Sequence, residues 1–175
     1  MRLEAVDGDI TAQAVDAIVN AANPSLLGGS GVDGAIHAAA GPALLTACRE
    51  LRRTTHPDGL AVGDAVATRA GELPARWVVH TVGPNRRAGQ TDPALLASSF
   101  SRSLEVAAGL GAATVAMPAV GAGIYGWDVD EVADIAVAAV RDTGAAGRAR
   151  GVELVRFVLW GNAAHTAFLE ALARP

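Results

Sequence analysis

Two glycine-rich stretches have the residue types and spacing to hold a phosphorylated ligand. The first runs Asn23-Pro24-Ser25-Leu26-Leu27-Gly28-Gly29-Ser30-Gly31-Val32-Asp33-Gly34, and the second Pro118-Ala119-Val120-Gly121-Ala122-Gly123-Ile124-Tyr125-Gly126. Glycine removes the Cβ that keeps a ligand away from the backbone, so successive N–H groups can converge on phosphate oxygens. One such loop is weak support for any ligand. Two loops, each directly after an apolar run that reads as a buried strand, suggest a clamp on a pyrophosphate.

Holding two loops against one ligand requires a scaffold, and strand-like and helix-like segments alternate along the chain. Ala17-Ile18-Val19-Asn20-Ala21 is short, apolar and β-branched, and it runs straight into the first loop. A helix over residues 32–40 follows, with Asp33 near its start, where a carboxylate interacts well with the helix dipole. Pro42 suits the first turn of the next helix, which continues through Leu44, Leu45, Cys48 and Leu51 at helical spacing. Residues 65–69 and 77–82 read as strands, and Leu96, Phe100, Leu104 and Ala107 mark a helix face. Thr114-Val115-Ala116-Met117 is a short strand feeding the second loop. A helix over 129–141, a strand over 154–160 and a closing helix over 163–172 complete the series, with surface loops expected at 86–91 and 144–151. The alternation predicts one α/β layered domain, residues 1–175, with a mostly parallel central sheet covered by helices on both faces. In such sheets ligands bind at the carboxyl ends of the strands, where both glycine loops sit.

Composition narrows the chemistry. Hydrophobic residues make up 51% of the chain, enough for a core, while aromatics are only 4%, so Ala, Val, Leu and Ile must fill it. All 14 basic residues are arginine, as GC-rich codons would give; no catalytic lysine or Schiff base is available. The net charge of −4 and the absence of a basic run argue against a dedicated duplex-binding surface. Arg52-Arg53 and Arg86-Arg87 read as solvated pairs. Cys48 is the only cysteine, so neither an internal disulfide nor a cysteine-built zinc site can form. No His/Asp/Glu cluster has metal-ligand spacing. Residues 1–10 carry no apolar core of signal-peptide length, and no uninterrupted apolar stretch reaches the ~18 residues of a membrane span. The chain reads as soluble and cytoplasmic, with no membrane partner.

Gly29-Ser30-Gly31-Val32-Asp33-Gly34 matches the dinucleotide fingerprint G-x-G-x-x-G, but that motif needs its glycines immediately after the strand. Here Asn23-Pro24-Ser25-Leu26-Leu27 intervene. A dehydrogenase would also need room for a second, substrate-binding domain. The fingerprint is therefore set aside.

A multi-part pattern covers essentially the whole chain instead. It comprises Gly8-Asp9-Ile10-Thr11, Ala17-Ile18-Val19-Asn20-Ala21-Ala22-Asn23, the first glycine loop through Ala35-Ile36-His37, Ala40-Gly41-Pro42, Val79-His80-Thr81-Val82-Gly83-Pro84 and the second glycine loop. In this order the segments resemble a macrodomain of the MacroD type, the family that binds ADP-ribose and hydrolyses ADP-ribosyl linkages. The resemblance implies a three-layer α/β fold with a central mixed, mostly parallel sheet flanked by helices.

It also implies roles. Asp9, with the Ile10 backbone beside it, would accept from the adenine amino group, which suits an acceptor-only carboxylate. Asn23 would bond the distal ribose, and Asp33 would position or activate the attacking water. Gly28, Gly29, Ser30, Gly31 and Val32, with Gly121, Ala122, Gly123, Ile124 and Tyr125, would close over the phosphates through backbone N–H groups. Tyr125 would pack on the distal ribose and Trp160 stack on adenine. Simpler readings stand beside these: a turn or cap for Asp9, an Asn-Pro turn for Asn23, a helix start for Asp33, and core packing for Trp160. Asn162 suits helix capping better than the proximal ribose. His37 and His80 suit supporting or core roles.

The activity implied is hydrolysis of the ester between the distal ribose and a carboxylate. The partner would be Glu or Asp on a mono-ADP-ribosylated protein, or acetate in O-acetyl-ADP-ribose, handled by a monomer without cofactor or metal. A reader that binds ADP-ribose without cleaving it, and an enzyme that removes it from nucleic acid, stay open. Strong nucleic-acid binding is not expected. Two departures from the family touch the site: Gly121-Ala122 replaces the usual Ser-Thr, removing two hydroxyl donors, and Ser30 replaces a glycine.

Overall fold

The apolar runs become strands β1 (Arg2–Asp7), β2 (Ala17–Ala21), β3 (Ala65–Arg69), β4 (Trp77–Thr81), β5 (Thr114–Met117) and β6 (Leu154–Leu159) in a computed structural model that describes all 175 residues. The helices are α1 (Gly31–Ala40), α2 (Pro42–Arg53), α3 (Pro93–Gly109), α4 (Val129–Ala145) and α5 (Asn162–Ala173). They flank one six-stranded sheet in the order β1-β6-β5-β2-β4-β3. Every pairing is parallel except the antiparallel β3–β4 edge, so the sheet is mixed and mostly parallel, as expected.

Alternate strand residues fill two separate core layers. Val19, Val79, Met117 and Phe157 pack with Phe100, Val140 and Phe168 under α3, α4 and α5. Ile18, Val78, Ala116 and Val158 point the other way, against Ile36 and Leu44 of α1 and α2. Strands buried on both faces read as continuous apolar runs, which is why β2 and β5 begin and end where the sequence predicts.

Three elements differ from expectation. β1 is an additional strand at the sheet edge, pairing with β6 from Arg2↔Leu154 to Asp7↔Leu159. α4 runs on through Gly144 and Ala145, and Ala149 turns back into the core, so only part of 144–151 is surface loop. Residues 86–88 form a single 3₁₀ turn rather than an irregular loop.

The topology decides where ligands can bind. β2 and β5 are parallel neighbours, so the loops after Ala21 and Met117 leave the same edge of the sheet. β1 and β6, also parallel, deliver Asp9 and Trp160 to that edge.

Asp16 ties β2 to β5. Its Oδ2 accepts from the backbone N–H of Ala113 at 2.8 Å and of Thr114 at 3.0 Å, while Oδ1 faces Arg76 at 3.0 Å. Burial raises its pKa, but the two backbone N–H groups, the Thr114 hydroxyl and the Arg76 charge outweigh it and hold the carboxyl below its usual range. A folded-state pKa below the unfolded one gives stability above the unfolded pKa, lost as pH falls through the folded value. Asp16→Asn is therefore expected to lower Tm at neutral pH and to leave it nearly unchanged in strong acid. Thermal melts from neutral pH down through the carboxylate range measure both.

Candidate functional site

The first loop leaves β2 and is bent back on itself. Gly28, with φ of 89°, takes the left-handed conformation freely, whereas Leu26, with φ of 60°, is the only non-glycine residue to do so. Burial holds Leu26 there, in a small cluster with Ala22, Cys48, Leu60 and Val82. Leu60 donates its N–H to the Pro24 carbonyl at 2.9 Å, and a Cβ at Gly59 would lie 2.5 Å from that oxygen. Arg52 is not a solvated residue. It reaches in from α2 and donates to the carbonyls of Ser25 at 3.0 Å and Pro57 at 2.9 Å.

Asn23 shapes this loop from within. Its Nδ2 donates to the Gly28 carbonyl at 2.9 Å, and Oδ1 accepts from the backbone N–H and the hydroxyl of Ser25. The turn reading is thus correct, and one amide N–H is left over for a ligand. A Cβ on Gly29 would lie 3.2 Å from Asn23 Nδ2 and 2.9 Å from Asp33 Oδ2. The two polar side chains therefore meet across a gap that a glycine leaves open.

Because α1 begins at Gly31, Asp33 falls in its first turn, where it is only 4% exposed. Its Oδ1 accepts from Asn20 Nδ2 at 2.8 Å and lies 3.4 Å from Nε2 of His37, one helical turn further on. Oδ2 makes no hydrogen bond within the chain and faces the loop. One oxygen is anchored and the other is free.

Two residues beneath Asp33, Asn20 and Thr68, carry no sign of a site role in the sequence. Asn20 and His80 are direct cross-strand partners on β2 and β4, with Asn20 Nδ2 3.2 Å from His80 Nδ1. His80 Nε2 faces Thr68 Oγ1 at 2.9 Å. Burial, and then His37 nearby, push the His80 imidazole down to about 3, so the ring is neutral at physiological pH. His80 is fully buried, and His37 lies beside Asp33 on α1. Burial, and then the Asp33 charge, push the Cys48 thiol up to about 11, which removes it as a nucleophile near neutral pH.

The second loop is closed at its base by the Trp127 N–H, which donates to the Gly121 carbonyl at 3.1 Å. The buried Trp127 indole donates to the Pro84 carbonyl at 2.8 Å. Arg86 stacks 4.4 Å over that ring and pairs with Glu131, so it too is structural rather than solvated. Ile124 projects from the tip, 61% exposed. Burial, and then the negative charge of Asp33, push the Tyr125 phenol above its usual range.

At the other end of this edge, Asp9 caps a short turn. Its Oδ1 accepts from the Thr11 N–H at 2.8 Å and hydroxyl at 2.7 Å, leaving Oδ2 unbonded beside the buried Ile10. Trp160 does not pack on the core: it is 85% exposed. Asn162 is not a cap either, because Gly161 occupies the N-cap of α5 and Asn162 is the first helical residue. A hollow at the opposite end of the sheet lies between Met1, Leu3, Arg141 and Leu172. Its one charged side chain, Arg141, is bonded to the carbonyls of Leu172 and Arg174.

The sheet order, the two loops and the sequence between them can be compared with known proteins. A family model described as the macro domain matches residues 19–136. The chain belongs to the macrodomain family. This macrodomain is 54% identical over 142 residues to an O-acetyl-ADP-ribose deacetylase from Cronobacter sakazakii, covering 81% of this chain and 78% of that one. Its fold matches the Oceanobacillus iheyensis macrodomain with ADP at a TM-score of 0.89 and 38% identity, over 97% of this chain and 89% of the other. It matches the Trypanosoma brucei macrodomain in complex with ADP-ribose at a TM-score of 0.87 and 31% identity, over 98% and 69%. The six-stranded sheet between two helical layers is thus the three-layer macrodomain arrangement. No helix of this macrodomain is long and apolar enough to cross a membrane.

Proposed function

We propose that this macrodomain binds ADP-ribose between its two glycine loops and hydrolyses the ester joining the distal ribose to an acyl group. The acyl group is acetate in O-acetyl-ADP-ribose, or a Glu or Asp side chain of a mono-ADP-ribosylated protein. The observation that carries this reading is the state of Asp33: Oδ1 is anchored to Asn20, and Oδ2 is free beside Gly29 and Asn23.

The backbone N–H groups of Gly28 to Val32 and of Gly121 to Tyr125 hold the two phosphates. Asn23 gives its remaining amide N–H to a distal ribose hydroxyl, and Tyr125 packs on that ribose. Asp33 Oδ2 takes a proton from the attacking water, and the ester and water become ADP-ribose and a carboxylic acid. The chemistry needs no metal, and turnover undiminished by a chelator is expected. The protein works in the cytoplasm as a monomer.

The test offers the protein both O-acetyl-ADP-ribose and a protein mono-ADP-ribosylated on glutamate, and measures ADP-ribose release by chromatography. Release from either supports the hydrolase and identifies its substrate class. Binding by calorimetry without release from either would overturn it in favour of a reader, consistent with the two loop hydroxyls absent at Gly121-Ala122.

The adenine end carries its own expectation. Asp9 Oδ2 accepts from the adenine amino group, and Trp160 stacks on the ring. Trp160→Ala should weaken ADP-ribose binding about tenfold, since one base stacked on an aromatic side chain contributes roughly 1–3 kcal/mol. Tm should hardly change, because so exposed an indole contributes little to the core. Calorimetry and a melting curve on the same sample give both values.

A further inference from the structure

A chain of buried polar side chains runs from Asp33 across three strands. Asn20 Nδ2 lies 2.8 Å from Asp33 Oδ1 and 3.2 Å from His80 Nδ1, and His80 Nε2 lies 2.9 Å from Thr68 Oγ1. The groups facing His80 are Asn20 on β2, Thr68 on β3, Cys48 on α2 and His37 on α1. Polar groups in an apolar layer are destabilising unless hydrogen-bonded, yet Asn20 Oδ1 has no partner. The amide is held with its nitrogen toward Asp33 even though its oxygen goes unpaired.

We propose that His80, through Asn20 and backed by Thr68, positions Asp33 so that Oδ1 is fixed and Oδ2 is presented to substrate. This rests on the reading of Asp33 as the group that takes the proton from water. A neutral imidazole has one N–H, so one ring nitrogen donates and the other accepts. With Nε2–H donating to Thr68 Oγ1, Nδ1 accepts from Asn20. The two hydrogens of Asn20 Nδ2 then go to His80 Nδ1 and to Asp33 Oδ1. The opposite tautomer would set Nδ1–H against the Asn20 N–H. A rotated amide would set Asn20 Oδ1 against the carboxylate. Only one arrangement satisfies the chain, and in it the carboxylate of Asp33 cannot turn without losing its bond to the sheet. His37 Nε2 lies 3.4 Å from the same oxygen, but it ties Asp33 to its own helix rather than to the sheet. Asn20, His80 and Thr68 are positioning residues, and none of them touches the ligand.

The test uses Thr68→Val, which keeps the side-chain shape on β3, alongside Thr68→Ser, which keeps the hydroxyl. Each is made alone and together with Asp33→Ala. Thr68→Val should lower kcat about tenfold, as small misplacements of catalytic groups do, with KM and the ADP-ribose Kd within about twofold of wild type. Thr68→Ser should restore kcat. In the Asp33→Ala background Thr68→Val should change the residual turnover by less than about twofold, because its effect passes through Asp33. Wild-type kcat in Thr68→Val, or the same fold-loss in both backgrounds, would overturn the proposal and leave the hydrolase standing. A wild type without turnover would instead defeat the hydrolase reading. NMR of the labelled His80 ring nitrogens then decides the network: an unprotonated Nδ1 supports it, and an Nδ1–H or charged ring overturns it.

Discussion

Asp33→Ala is expected to lose about 10³-fold in turnover of an ADP-ribosyl ester while its affinity for ADP-ribose stays within a few-fold. The carboxylate lies under the first loop, and the phosphate contacts proposed for that loop come from backbone N–H groups that the substitution leaves in place. What disappears is the free Oδ2. The variant should also melt earlier, because Asn20 Nδ2 loses its carboxylate partner inside the core layer. An orphaned buried donor costs about 1–3 kcal/mol, and at this chain length each kcal/mol lowers Tm by roughly 2–4 °C. Asp33→Asn separates the two effects. It keeps an oxygen toward Asn20 and the shape of the side chain, but it cannot take the proton. Its Tm should stay near wild type while its turnover falls as far as that of the alanine variant. Single-turnover release assays, calorimetry and melting curves make the comparison. Equal losses of binding and turnover would make Asp33 a ligand contact and not a base.

Gly29→Ala should be nearly as damaging, lowering kcat/KM about 10²-fold through a single methyl group. Gly29 is outside the left-handed region, so its backbone accepts alanine without strain. The methyl would enter the gap between the two polar side chains, 2.9 Å from Asp33 Oδ2 and 3.2 Å from Asn23 Nδ2. Neither neighbour can yield easily. Asp33 is held by Asn20, and Asn23 is bonded to Gly28 and Ser25. Gly31→Ala is the contrasting case: φ is 60° and nothing lies within 4 Å of an added Cβ. That change should lower stability by about 1–2 kcal/mol through left-handed strain without filling the gap. Melting curves and steady-state kinetics on the pair separate blockage from strain.

The parts of the site legible in the sequence were those encoded locally. Glycine-rich loops after apolar runs announce themselves, and the motif order then assigns expected roles to Asp9, Asn23, Asp33 and Trp160. β2 and β5 were legible because both their faces are buried. β1 was not, because Arg2-Leu3-Glu4-Ala5-Val6-Asp7 lies at an edge and half its side chains are charged. The network beneath Asp33 was illegible for a different reason. Asn20, Thr68 and His80 become neighbours only through the β2–β4 and β4–β3 registers, which no local pattern specifies. Arg52 and Arg86 look like any solvated arginine until the chain folds back to offer them the Ser25 carbonyl and the Trp127 ring. Spacing finds loops. It does not find partners.

The two glycine loops leave adjacent strands, yet α1, α2, β3, β4 and α3 lie between them in the chain. The cleft is therefore absent until the sheet has closed around that intervening half of the fold. A ligand that spans both loops recognises the native state alone and shifts the unfolding equilibrium by mass action, by about 2.7 kcal/mol at a hundred times its Kd. Occupancy becomes a form of protection: a protease acting on a mixed population would digest the empty molecules first.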